Sequence, residues 1–159
     1  MTKHTQTAAL EPSPSPNAEG DVSLRDVLGF QLVAASLVTN AMFEEAAGKP
    51  LGMSRVDYAV LMLIRESPGL SGSSLAQTLA VTPPYIAGRL ASLQSRGLIT
   101  RSASKVDRRA QVLKLTAAGM RLCETATSRL VIAERAISQR LSPGETLMLR
   151  EMLLKIASM

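Results

Sequence analysis

Seven basic side chains, Arg89, Arg96, Arg101, Lys105, Arg108, Arg109 and Lys114, stand between residues 82 and 114 with a single acid, Asp107, among them. The whole chain of 159 residues carries a net charge of +5 at neutral pH, so its basic excess is confined to this one stretch. Clustered guanidinium and ammonium groups neutralise phosphates, and counterion release then supplies much of the affinity for nucleic acid. The plain alternative for such a run is a solvated face, and the elements that carry the charges must decide between the two. Other chemistries lack their groups. The sole histidine, His4, lies near the N-terminus, and the sequence holds no metal-ligand cluster, phosphate loop or nucleophile–base pairing. Neither an enzyme nor a cofactor or metal site is expected. The one cysteine, Cys123, permits no internal disulfide and suits a reducing cytoplasm. No apolar run approaches the roughly 20 residues that span a bilayer. The N-terminus also lacks the apolar core of a secretory signal. A cytoplasmic location with no membrane partner is the expectation.

The elements that must position these charges are helical. The chain is 46% hydrophobic with only four aromatic residues, Phe30, Phe43, Tyr58 and Tyr85, so aliphatic side chains and Met fill its core. That composition suits packed helices. Residues 1–20, with Pro12, Pro14 and Pro16 alternating with serines, read as a disordered tail. From Ser23 a capping box with Asp26 opens a helix to about Ala47, where Gly48 and Pro50 should stop it. That helix is apolar on two stripes, so residues 21–50 form a candidate dimerisation helix. Residues 51–115 hold the basic region. A capping box from Ser54 to Asp57 opens Tyr58–Arg65, Ser71 caps a short helix, and a further helix follows a break at Val81-Thr82 and ends at Gly97. Two short helices across a tight break make a helix-turn-helix. Strands Leu98–Ala103 and Gln111–Leu115, joined by a basic loop, add a wing. Residues 116–159 supply two more helices, one from Thr116 to about Leu141 and one opened by Ser142-Pro143-Gly144-Glu145, as a second part of the dimerisation layer.

Within this mainly α, winged helix-turn-helix arrangement the DNA-contacting candidates are Ser71, Thr82, Pro83, Pro84, Tyr85, Arg89, Ser92, Lys105, Arg108 and Arg109. Thr82 should cap the recognition helix, and because Pro84 has no N–H its hydroxyl is limited to Tyr85. Pro83 and Pro84 start that helix rigidly and aim its positive end at phosphates. Tyr85, Arg89 and Ser92 face away from Ile86, Leu90 and Leu93, and Arg89 is the best candidate for paired hydrogen bonds to guanine. Asp107 is repelled by DNA unless it orders a wing arginine.

Asp107-Arg108-Arg109, followed by Leu115-Thr116-Ala117-Ala118-Gly119, resembles the Asp-x-Arg and Leu-Thr-x-x-Gly wing signature of the multiple-antibiotic-resistance (MarR) family of bacterial regulators. Leu93-Gln94-Ser95-Arg96-Gly97-Leu98-Ile99-Thr100-Arg101 resembles that family's exit from the recognition helix, and Ser74-Leu75-Ala76 the start of the preceding helix. The resemblance covers residues 24–158. It implies a homodimer on a near-palindromic duplex operator, each recognition helix in a major groove and each wing in a minor groove, with Asp107 fixing Arg109. It also implies release by a small molecule or an oxidant. A small apolar or phenolic effector fits an interior holding Met42, Met53, Met62 and Met120, which can adapt to guests. The family's peroxide sensors carry their reactive cysteine near the first helix, where this sequence has none, so Cys123 is expected to be inert. Ala87 and Gly88 stand where relatives often carry Thr or Ser and then Arg, which shifts base reading toward Arg89 and the wing. Winged helices also bind proteins, but a protein-binding wing would not need so concentrated a positive charge.

Overall fold

The computed structural model describes residues 23–103 and 111–158. The chain divides into two compact units, Met1–Ala35 and Ser36–Met159. In the first, the Ser23 N–H donates to the Asp26 carboxylate at 3.1 Å, closing a 3-10 turn over Leu24–Asp26 ahead of α1 (Leu28–Phe43). Leu24, Val27, Leu28 and Val33 are exposed there.

In the second unit the helical path does not stop at Ala47. It widens into a π-helical turn, Glu44–Gly48, and ends with the single turn α2 (Lys49–Leu51) before Gly52, whose φ of +58° reverses the chain. The reason lies at Pro50, which can neither donate to the carbonyl one turn back nor sit in a regular helix interior. The π turn resets the hydrogen-bond register just before it, so Pro50 falls at the start of α2, where a missing N–H costs nothing.

Then come α3 (Arg55–Glu66), α4 (Gly72–Thr78) and α5 (Pro83–Ser95). The Ser54–Asp57 capping box that opens α3 is complete, and Ser71 accepts the Ser74 N–H at 3.1 Å to start α4. Between α4 and α5 the chain turns at Ala80, a non-glycine residue with φ of +51°, a conformation that disfavours a Cβ. Gly97, φ +69°, ends the region of α5 as its position predicts. Strand β1 (Ile99–Ala103) pairs antiparallel with β2 (Gln111–Leu115), Ile99 opposite Leu115 and Ala103 opposite Gln111.

Thr116 locks this hairpin to the next helix, α6 (Ala117–Ala133). Its hydroxyl accepts the Gly119 N–H at 3.0 Å and donates to the Gly97 carbonyl at 2.7 Å. Gly119 is buried directly on the Leu98 carbonyl oxygen, leaving no room for a side chain. The expected single helix to Leu141 is interrupted at Glu134, where the ladder tightens to shorter-range bonds and the turn α7 (Arg135–Ser138) follows. Helix α8 (Pro143–Ala157) opens with a complete Ser142–Glu145 capping box.

The core runs from Phe43 and Ala47 through Val60, Leu61 and Ile64 of α3 to Leu75, Ile86, Leu90, Leu93, Ile99, Leu113 and Cys123. Each of α3 to α6 contributes, so α4 and α5 are held as a rigid pair.

Candidate nucleic-acid interface

The N-terminal end of α5 is presented to solvent. Thr82 is its N-cap in an extended conformation, and Pro83, Pro84 and Tyr85 are exposed beside it. The Thr82 hydroxyl makes no capping bond, contrary to the expectation that it serves the Tyr85 N–H. With Pro83 and Pro84 supplying no donor, the open N–H groups of this end are few. The hydroxyl therefore stays available outward. Ser71 is half-buried and its oxygen is already engaged by the Ser73 and Ser74 hydroxyls at 2.8 and 2.9 Å. Ser92 is half-buried, with its carbonyl accepting the Ser95 hydroxyl at 2.8 Å.

Arg89 departs most from its expected place. Its guanidinium turns inward onto Asp57, Nε donating to Oδ1 at 2.9 Å and Nη2 to Oδ2, while Nη2 also reaches Ser54 Oγ at 3.0 Å. The fork that should meet a guanine edge is occupied by a carboxylate. Asp57 itself is 1% exposed. It closes the capping box through the Ser54 N–H at 3.1 Å, and the Arg96 guanidinium lies 3.9 Å away. Burial pushes the Asp57 pKa up. The Arg89 hydrogen bonds, then the Ser54 groups, outweigh that burial and hold it below the usual carboxylate range.

This is the residue that sequence reasoning missed. Asp57 reads as a helix cap, and nothing in local spacing points to a partner 32 residues away. Its effect is to tie the first turn of α3 to the middle of the recognition helix. Lys105, Asp107, Arg108 and Arg109, the wing candidates, lie outside the described residues.

A second feature lies behind the helix-turn-helix. A cavity of about 580 Å³ is lined by Thr39 and Phe43 of α1, Arg55, Val56, Tyr58 and Ala59 of α3, Leu79 and Val81 of the interhelical turn, and Leu130 and Glu134 by α6. The Phe43 and Tyr58 rings meet at 5.9 Å, and the Tyr58 hydroxyl is hydrogen-bonded to that of Thr127 at 2.9 Å. None of the four methionines expected to receive a guest lines it. Met53 is buried core, Met62 packs near Thr127, and Met120 is exposed. Cys123 is fully buried, and burial pushes its thiol pKa up, only partly countered by Arg65. That is the condition of an inert thiol.

A helix-turn-helix joined to a two-stranded wing matches known proteins. The MarR family model fits residues 53–110. Over 113 residues the chain is 32% identical to an HTH-type transcriptional repressor of Mycobacterium tuberculosis, covering 71% of this chain and 81% of that protein. The chain belongs to the MarR family. Solved MarR-type structures share its fold. CouR from Rhodococcus jostii RHA1 bound to p-coumaroyl-CoA has a TM-score of 0.75 at 28% identity, covering 86% of this chain and 96% of that one. The transcriptional repressor CouR bound to a 23-mer DNA duplex has a TM-score of 0.76 at 28% identity, covering 90% and 99%. A MarR family protein of Mycobacterium tuberculosis in complex with p-aminosalicylic acid has a TM-score of 0.67 at 29% identity, covering 81% and 97%. The fold is that of a MarR winged-helix transcriptional regulator. Among the described residues no helix is long and apolar enough to cross a membrane.

Proposed function

We propose that the protein is a homodimeric, sequence-specific repressor that releases its operator when a small aromatic acid enters the cavity between α1, α3 and α6. The observation that carries the DNA reading is the solvent-facing start of α5, Thr82 to Tyr85, set beside a two-stranded wing in the most basic stretch of the chain. Thr82, Pro83, Pro84 and Tyr85 meet the major groove and its phosphates. Lys105, Arg108 and Arg109 of the wing reach the adjacent minor groove, with Asp107 ordering Arg109, on the strength of the family's motif. Arg89 acts indirectly by holding α5 in place. Ser71, whose oxygen is already engaged by Ser73 and Ser74, and the half-buried Ser92 are peripheral.

The second copy is called for by apolar surface. Helix α8 buries none of its residues and exposes Leu147, Met148, Leu153 and Leu154, and α1 buries only Phe43. Faces of that kind in a water-soluble regulator pack against a twin. Residues 21–50 and 116–159 form this layer and 51–115 read DNA; residues 1–20, expected as a tail, lie outside the described residues.

The effector class follows from the cavity walls. Phe43, Val56, Leu79, Val81 and Leu130 offer an apolar slot, with the Arg55 cation for a carboxylate and the Tyr58 and Glu134 groups for hydroxyls. Its volume is within the range of small-molecule sites. The relative bound to p-aminosalicylic acid supports an aromatic acid, and the one bound to p-coumaroyl-CoA, a thioester, supports the aromatic ring alone. The protein carries no catalytic activity and works in the cytoplasm. Selection of bound fragments from the source genome, followed by gel shift with and without millimolar salicylate, tests the whole reading. Recovery of a near-palindromic site whose complex salicylate dissolves is the expected result. Absence of any enriched sequence would overturn the DNA reading, and an unaffected complex the effector class.

A further inference from the structure

Arg101, on β1, is half-buried, and its Nε is enclosed with no hydrogen-bond partner among the described residues. Among the described residues it forms no ion pair. A cation that loses hydration with no counter-charge destabilises the fold, and buried donors in proteins are nearly always satisfied. The side chain lines a cavity of about 260 Å³ with Gly72 and Ser73 of α4, Pro83 and Ala87 of α5, and Leu113 of β2. This cavity therefore opens between the recognition helix and the wing. Its other walls are apolar or uncharged, which strengthens any charge–charge attraction inside it.

We propose that this cavity seats a DNA backbone phosphate, with Arg101 as its cation. The inference rests on the DNA reading above and adds an anchor that neither the recognition helix nor the wing tip supplies. When α5 occupies a major groove and the hairpin the neighbouring minor groove, the phosphate ridge dividing the two grooves must pass between them, over Arg101. The guanidinium then acquires a counter-charge that none of the described residues supplies, and the exposed Ser73 hydroxyl stands at the same rim. A backbone contact fixes register without reading bases, so Arg101 contributes equally to operator and random duplex.

The test uses the full chain and binding measured across a salt series on both duplexes. Arg101→Gln should weaken both by about tenfold and lower the salt slope by about 1 for each phosphate no longer neutralised, whereas a base-reading residue would affect the operator alone. A scan with single neutral methylphosphonates, run on the native protein and on Arg101→Gln, locates the contact. One position per half-site, between the major- and minor-groove footprints, should weaken the native protein and leave Arg101→Gln unaffected. Inorganic phosphate serves as the probe for a free anion. An Arg101→Gln protein of native melting temperature with an unchanged salt slope, or a ridge methylphosphonate without effect on the native protein, overturns the proposal. Loss of operator binding alone would also overturn it. If the native protein binds no duplex, the DNA reading itself fails. Saturable phosphate binding that Arg101→Gln abolishes would then make the seat one for a free anion and overturn the DNA-phosphate assignment.

Discussion

On α5, Tyr85 and Arg89 lie one turn apart on the side away from Ile86 and Leu90, yet Tyr85 stays exposed while Arg89 is half-buried. Arg89 is long enough to fold back onto Asp57, where two hydrogen bonds to one carboxylate outweigh what water offers. Removing only one partner leaves a charge stranded. Arg89→Ala should lower stability by about 3 kcal/mol, the low end for a broken buried pair, because Asp57 keeps the Ser54 N–H and the more distant Arg96. Arg89→Ala combined with Asp57→Ala should recover much of that loss. Denaturant unfolding of the three variants checks this, and a double variant no more stable than Arg89→Ala would deny the pairing its role. The same pair has a pH signature. The folded pKa of Asp57 lies below its unfolded value, so its stabilisation is fully present above about pH 4 and is lost as pH falls through the folded value. Glu145 is also held below its ordinary value, by the Ser142 hydrogen bonds. The readout is therefore the difference between variants: Asp57→Asn should show a shallower fall in melting temperature below pH 4 than the native protein.

Element by element, the motif Leu-Thr-x-x-Gly works as a joint. Thr116 caps α6 and bonds back to Gly97, and Gly119 lets α6 press on the Leu98 carbonyl. The end of the recognition helix, the wing and α6 are thus fastened at one point. Gly119→Ala places a methyl group against backbone that cannot move aside, and should cost about 3 kcal/mol or more. Gly88→Ala, where a methyl group meets nothing nearby, should instead stabilise α5 by up to about 1 kcal/mol through helix propensity. Thermal melts of both variants should move in opposite directions. A Gly119→Ala protein melting like the native one would show that α6 can shift without consequence.

For the molecule as a whole, the uncovered apolar faces of α1 and α8 make the folded monomer an incomplete object. Deleting residues 143–159 should convert a dimer of twice 16.9 kDa into monomer or aggregate and abolish tight operator binding, since one half-site alone lacks the avidity of two. Analytical ultracentrifugation at micromolar concentration decides the point, and a native protein sedimenting only as monomer would refute the assembly. Cys123 is enclosed in the core, so Cys123→Ser should leave operator binding and any oxidant response unchanged.

Local signals were enough for much of this. The capping boxes at Ser54 and Ser142, the left-handed Gly97, the paired strands and the helix-turn-helix all follow from neighbours within a few residues, because caps and turns are satisfied locally. The basic stretch and its motifs were equally legible as an order of residue types. Tertiary structure decided whatever depends on a distant partner. It passed the first helix through Gly48 and Pro50 by way of a π turn, and placed the cavity among Phe43, Tyr58 and Leu130 instead of the methionines. It also set Arg89 on Asp57 and gave Arg101 no counter-charge among the described residues. A long side chain's direction along its helix is a local property. Its partner is chosen by which buried charge the fold brings within reach, and no spacing along the chain encodes that.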